Sequence, residues 1–187
     1  MDITQLILDD HHEQRRLFAM IEEIDPGDAG TLSALWSRLA AFLELHAAAE
    51  EAIFYPELLK VDKLAGRLGS GEAETLDAIG DHNEIRDAVA AARPHDVGSS
   101  DWFAAVAAAN RANGDHMAEE EREGLTDFRK FASLQLRHDL AVAFAAYEAR
   151  HYQGVEPVDK DPAAYVRQAE RAITGSGSLD IGSLKGL

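Results

Sequence analysis

Two short patterns in this sequence have the spacing of metal ligands: His46-Ala-Ala-Ala-Glu50 and His116-Met-Ala-Glu-Glu120. On a helix, residues four apart lie on one face a single turn along, so each pattern aims an imidazole and a carboxylate the same way. Such a pair can grip one cation, or its carboxylate can span two. The spacing alone is weak evidence. With 8 His and 17 Glu in 187 residues, about 0.7 such pairs arise by chance, the ordinary false-positive risk of a short motif.

Placement adds more. Four segments carry a helical repeat of apolar residues, at about 3–24, 31–61, 72–92 and 101–124, and a fifth runs from about 127 to 152. His46 and Glu50 continue the stripe of Leu35, Leu39 and Phe42. His116 and Glu120 continue the face of Phe103, Val106, Ala109 and Asn113. His82 lies on the stripe of Ile79 and Val89, and His11 lies between Ile7 and Phe18. Each of the first four segments thus brings one His to its inward side, and two of them add a Glu. A core-facing carboxylate without a partner costs several kcal/mol. A metal held between facing helices supplies that partner. His12 falls one step off the apolar face, His95 falls in a loop, and His138 and His151 lie beyond the four helices. These four read as surface or supporting residues. A thiolate-free set of His and Glu suits iron, manganese or zinc. Four His and two Glu exceed what a tetrahedral zinc needs and suit two irons bridged by carboxylates.

The elements that must position these groups are all helical. Asp25-Pro26-Gly27-Asp28, the stretch from Gly66 to Gly71 and the stretch from Pro94 to Ser100 interrupt the periodicity, with Ser100 the expected helix cap. No strand alternation competes. The expected fold is all-α: an up-down antiparallel four-helix bundle with an additional C-terminal helix and a flexible tail. Pro56 sits inside the second segment, so a kink or an early stop is expected there. Residues 1–152 are read as the bundle. Residues 153–174 are read as a linker with a short helix opened by Asp161-Pro162. Residues 175–187, seven of them Gly or Ser, are read as a flexible tail.

Composition narrows the function. There are 34 acids against 18 Lys and Arg, a net charge of −16, and no Cys. The acidic surface argues against nucleic acid or an anionic membrane as partner. Without Cys there is no disulfide, zinc–thiolate site or iron–sulfur cluster. No apolar run approaches the roughly 20 residues of a membrane span, and the N-terminus does not look like a signal peptide, so a cytoplasmic protein is expected. A nucleophile elbow and a phosphate-binding glycine loop are also missing.

The four inward segments together resemble a known family. They read Asp9-Asp10-His11-His12-Glu13-Gln14-Arg15-Arg16-Leu17-Phe18, then His46 to Glu50 followed by Glu51-Ala52-Ile53-Phe54-Tyr55-Pro56, then Asp81-His82-Asn83-Glu84, then His116 to Glu121. In that order they are similar to the hemerythrin-like HHE cation-binding family over about residues 1–150. The resemblance implies a non-haem diiron centre that handles O₂ and, in some members, NO, peroxide or iron sensing. It implies His11, His46, Glu50, His82, His116 and Glu120 as ligands, with the two Glu bridging two Fe ions. Two departures stand out. Oxygen-carrying members have a second His where this chain has Arg86. They also place an acid five residues after the last His, the position of Glu121, whereas Glu120 is at four. One iron is therefore expected to be short of a protein ligand, with Arg86, Tyr55 and Glu121 as supporting residues. Tyr55 is in reach only if the helix deforms at Pro56. An open iron position favours redox chemistry over reversible O₂ storage.

The C-terminus carries a second resemblance. Gly177-Ser178-Leu179-Asp180-Ile181-Gly182-Ser183-Leu184-Lys185-Gly186-Leu187 is similar to the peptides that load cargo into encapsulin nanocompartments, which read Leu-Gly-Ile-Gly-Ser-Leu-Lys. Asp180 stands where Gly is usual. The resemblance implies an encapsulin shell protein as partner, with Leu179, Ile181 and Leu184 as aliphatic anchors. The expected protein binds O₂ or related oxidants inside such a shell and protects against oxidative or nitrosative stress. Iron oxidation for storage, or iron and redox sensing, are the alternatives, and a homodimer through the fifth helix is the expected assembly.

Overall fold

The computed structural model describes residues 1–67 and 69–177, the last two through their backbone alone. The helices are α1 (Ile3–Glu23), α2 (Ala29–Ala49), a π turn (Glu50–Phe54), α3 (Tyr55–Leu64), α4 (Ser70–Ala91), α5 (Ser100–Arg122), α6 (Gly124–Phe131), α7 (Leu134–Arg150) and α8 (Pro162–Gly177). Short polar side chains start five of them, Asp161 doing so for α8 by accepting from the Ala164 N–H. Asp2, Asp28, Ser99 and Ser133 each accept a hydrogen bond from a backbone N–H in the first turn of α1, α2, α5 and α7. The cap of α5 is Ser99 rather than Ser100, because the Ser99 hydroxyl reaches the Trp102 N–H at 3.1 Å. None of these helices is long and apolar enough to cross a membrane.

Two expected helices are broken. The second segment passes into a π turn at Glu50, where the Tyr55 N–H reaches back five residues to the Glu50 carbonyl. Pro56 explains this. Its ring crowds the carbonyl four residues earlier and it has no N–H to give, so the chain widens by one residue ahead of it. The expected helix from 127 to 152 is also two helices. Ala132 turns extended, and the Ser133 hydroxyl caps α7 by accepting from the Leu136 N–H. Apolar residues on both sides of that break hide it from periodicity. Helix α8 continues three residues into the stretch read as tail. Leu179, Ile181 and Leu184 lie outside the described residues.

Helices α1, α2, α4 and α5 surround a common interior. Contacts such as Asp10 to His46 and Phe18 to Trp36 show α1 antiparallel to α2. Glu44 to Arg86 and Glu51 to His82 show the same for α2 and α4. Two apolar clusters fill this interior. One holds Leu17, Phe18, Trp36, Leu39 and Trp102. The other holds Ile3, Ile7, Phe54, Phe128 and Phe144. The inward His and Glu occupy the levels between them. Helix α7 packs on α1, α2 and the π turn through Ala141 and Phe144, while Leu134 and Val142 face solvent. Helix α8 lies against α3 and α4.

Beside the second cluster, the Oε1 of Glu74 on α4 accepts from the Ser70 hydroxyl at 3.3 Å, and its Oε2 is buried without a partner. Burial, with the charges of Asp62 and Asp127, pushes this carboxyl from 4.5 to about 7. Folded chains thus hold a proton that unfolded chains release above 4.5. Stability attributable to Glu74 is intact below that value and falls as pH rises through about 7. Glu74→Gln should therefore leave the melting temperature nearly unchanged at pH 4. At pH 8 it should raise it by about 2–4 °C, roughly 1 kcal/mol once solvent screening of this half-buried group is allowed for. Equal shifts at both pH values, by differential scanning calorimetry, would contradict the assignment.

Candidate metal centre

The centre begins with the inward residues of four helices. His11 on α1, His46 on α2, His82 on α4 and His116 on α5 are all buried, and so are Glu50 and Glu120. Glu50 lies in the middle. Its Oε1 is 3.0 Å from His46 Nε2 and 4.0 Å from His11 Nε2, and its Oε2 is 3.3 Å from His82 Nε2. His82 Nε2 and His116 Nε2 face each other at 3.2 Å. Two groups of potential ligands result, His11–His46–Glu50 and Glu50–His82–His116, each with donor atoms within 4.8 Å of one another. Glu50 belongs to both. Glu120 closes the remaining side, with Oε2 at 3.4 Å from His11 Nε2 and Oε1 accepting from the Tyr55 hydroxyl at 2.9 Å.

The π turn makes this last contact. On a regular helix Glu50 would be followed on its face by residues 53 and 54. The extra residue of the wide turn puts Tyr55 on that face instead, so the phenol points at the centre.

Each imidazole is held from behind by a carboxylate on a neighbouring helix. His46 Nδ1 faces Asp10 at 3.1 Å, and His82 Nδ1 faces Glu51 at 2.9 Å. His116 Nδ1 faces Asp81 at 3.3 Å, and His11 Nδ1 faces Glu121 at 3.0 Å. A carboxylate there keeps the proton on Nδ1 and leaves the Nε2 lone pair for a cation, the arrangement typical of metal-binding His. The acids form a closed ring: α1 supports α2, the π turn that follows α2 supports α4, α4 supports α5, and α5 supports α1. Each is the chain neighbour of an inward ligand. Asp10, Asp81 and Glu51 were not singled out by sequence reasoning, yet that adjacency was a readable signal. Glu121 and Arg86 were singled out, and both lie outside the centre. Glu121 also pairs with Arg15 at 2.7 Å, and Arg86 binds Glu44 at 2.8 Å and Glu51 at 3.0 Å. His12 and His138 are exposed, and His95 and His151 are partly so.

Charge inside the centre is unbalanced in a way that favours a cation. Burial opposes ionisation of Glu50, but His46 and His82 outweigh it and hold this carboxyl well below the usual range. Glu120 goes the other way, driven well above the usual range by burial and then by the charge of Glu50. Burial also pushes His11 down to about 4, leaving it neutral and able to ligate. Burial and the nearby Glu120 charge keep the Tyr55 phenol protonated far above its ordinary value. The Nε2 atoms of His11 and His46, both Glu50 oxygens and Glu120 Oε2 have no hydrogen-bond partner despite full burial. Orphaned buried polar atoms on four convergent side chains, with the Nε2 atoms of His82 and His116 facing each other beside them, fit a metal cation, which would satisfy all of them together.

An all-helical protein with an interior imidazole–carboxylate site for cations is the class that fold and site define. The family model of the hemerythrin HHE cation binding domain matches residues 2–128. The chain belongs to that family. No curated protein and no solved structure matches it.

Because Glu50 is common to both ligand groups, Glu50→Ala should weaken metal binding by about tenfold or more. His116→Ala touches one group alone and should weaken binding less. Metal titration with elemental analysis of the dialysed variants checks this, and equal losses in the two variants would argue against two groups sharing one carboxylate.

Proposed function

We propose that this protein holds two irons in its up-down bundle, handles O₂ or related small oxidants there, and is carried inside an encapsulin shell. The observation that carries the iron reading is the buried Glu50 shared between two imidazole groups. His11, His46, His82 and His116 would be terminal ligands, and Glu50 and Glu120 would bridge. An iron pair supplies redox equivalents and open positions for O₂, NO or peroxide.

The chain's own residues define the approach and the proton supply. A cavity of about 510 Å³ opens between α2 and α4 onto His46, His82 and His116, with Asn113 and Arg86 in its wall. Its size accepts diatomic ligands and peroxide with room to spare. Within the centre, the Tyr55 hydroxyl holds a proton at Glu120 Oε1. Asp87, Glu156 and Asp159 also line the cavity. That acidic lining favours Fe²⁺ entry and supports iron oxidation as the second reading.

Anaerobic loading with Fe²⁺ followed by exposure to each ligand separates the two readings. The first expects two irons per chain and a visible spectrum that changes with O₂, NO or peroxide. The second expects many Fe²⁺ oxidised per chain. Fewer than two irons bound at saturation would sink both.

The shell reading rests on the tail resemblance, with Leu179, Ile181 and Leu184 as anchors. Deleting residues 178–187 spares α8, so co-expression with an encapsulin shell should give loaded capsules for the full chain and empty ones for the deletion. Equal loading would remove the targeting role.

A further inference from the structure

The matched domain ends at residue 128, yet a residue well beyond it reaches the support of the centre. The segment leading into α8 brings the Lys160 ammonium onto Glu51 Oε2. Glu51 Oε1 faces His82 Nδ1 at 2.9 Å and accepts from Arg86 at 3.0 Å. Lys160 is itself pinned beside His82. Its N–H donates to Asn83 Oδ1 at 3.0 Å, and its carbonyl accepts from Asn83 Nδ2 at 2.7 Å. Five residues on, the Tyr165 hydroxyl donates to the Glu51 carbonyl. One strap, residues 155–165, therefore grips Glu51 and Asn83, the chain neighbour of His82, and its Val155 and Pro157 line the cavity beside His82.

Glu51 differs from the other three supporting acids. The side chains of Asp10, Asp81 and Glu121 are 16 %, 33 % and 28 % exposed, so water can solvate the oxygen that does not face His. The Glu51 side chain is 1 % exposed. Its second oxygen depends on Lys160. A buried carboxylate stripped of one cation moves toward its remaining partner or toward water, and either change turns the His82 ring. We propose that Lys160 is a positioning residue of the metal centre, which through Glu51 fixes His82 and couples the C-terminal strap to metal binding. The proposal rests on the two-ion reading above.

The test is anaerobic Fe²⁺ titration of the full-length wild type, Lys160→Met and Lys160→Arg, with circular dichroism of each. Removing a support of this kind weakens metal binding about 10- to 100-fold. Lys160→Met should lose that much affinity in one of the two equivalents and hold the other within about twofold. Lys160→Arg should recover most of the loss, and helicity should be unchanged throughout. Hydrogen exchange supplies the reciprocal readout, since Fe²⁺ should slow the Lys160 amide in the wild type. Lys160→Met binding both equivalents within twofold of wild type overturns the proposal alone. So does an equal loss of both equivalents with falling helicity that Arg does not restore, because that is a folding role. A wild type that binds no second Fe²⁺ overturns the two-ion reading and this proposal with it.

Discussion

The structure depends on two carboxylates, Glu50 and Glu120, buried among four helices. In an apolar interior an ionised carboxylate needs cations and donors around it, and the cost of leaving it bare exceeds what one ordinary hydrogen bond returns. The chain surrounds the pair with four imidazoles and one phenol. It then seals both ends with apolar clusters built on Trp36, Trp102 and Phe18 on one side and Phe54, Phe128 and Phe144 on the other. The same seal that makes the charges costly makes them strong toward a cation, because nothing between them screens the field.

The ring of supporting acids follows from helix geometry. Successive residues point about 100° apart around a helix axis, so the neighbour of an inward ligand points sideways at the adjacent helix. Whether the preceding or the following neighbour points the right way depends on the direction in which the helix runs. On α1 and α4 the support precedes the inward His, as Asp10 precedes His11 and Asp81 precedes His82. On α5 and in the π turn that continues α2 it follows the inward Glu, as Glu121 follows Glu120 and Glu51 follows Glu50. This alternation matches the reversal of direction between α1 and α2 and between α2 and α4. One rotational sense of support around the bundle requires it.

That geometry also explains what the sequence did and did not disclose. Inward His and Glu were legible because they continue apolar stripes, and a polar residue in such a stripe is conspicuous. Of the supporting acids Glu121 was legible through its place beside Glu120, but Asp10 and Asp81 were not, since they fall on partly exposed faces in a chain with 34 acids. Tyr55 was legible only conditionally. Pro56 signalled a distortion, but its form, a wide turn rather than a kink or stop, depends on whether packing rewards the added residue. Here Tyr55 is rewarded by Glu120 and by packing against Phe54 and His82. The break at Ala132 was hidden because Phe131, Leu134 and Leu136 keep the apolar rhythm across it.

Arg86 shows how one substitution sets the character of a whole face. It stands on α4 one turn after His82, where an imidazole could have ligated. A guanidinium keeps its charge and cannot offer a lone pair, so it is driven outward onto Glu44 and Glu51. It thereby neutralises two nearly buried acids beside the centre. That face is also where the cavity opens, onto His46, His82 and His116. The paired guanidinium and the free space in front of His82 and His116 thus belong to one face. Both follow from a side chain too basic to offer a lone pair and too well paired to leave.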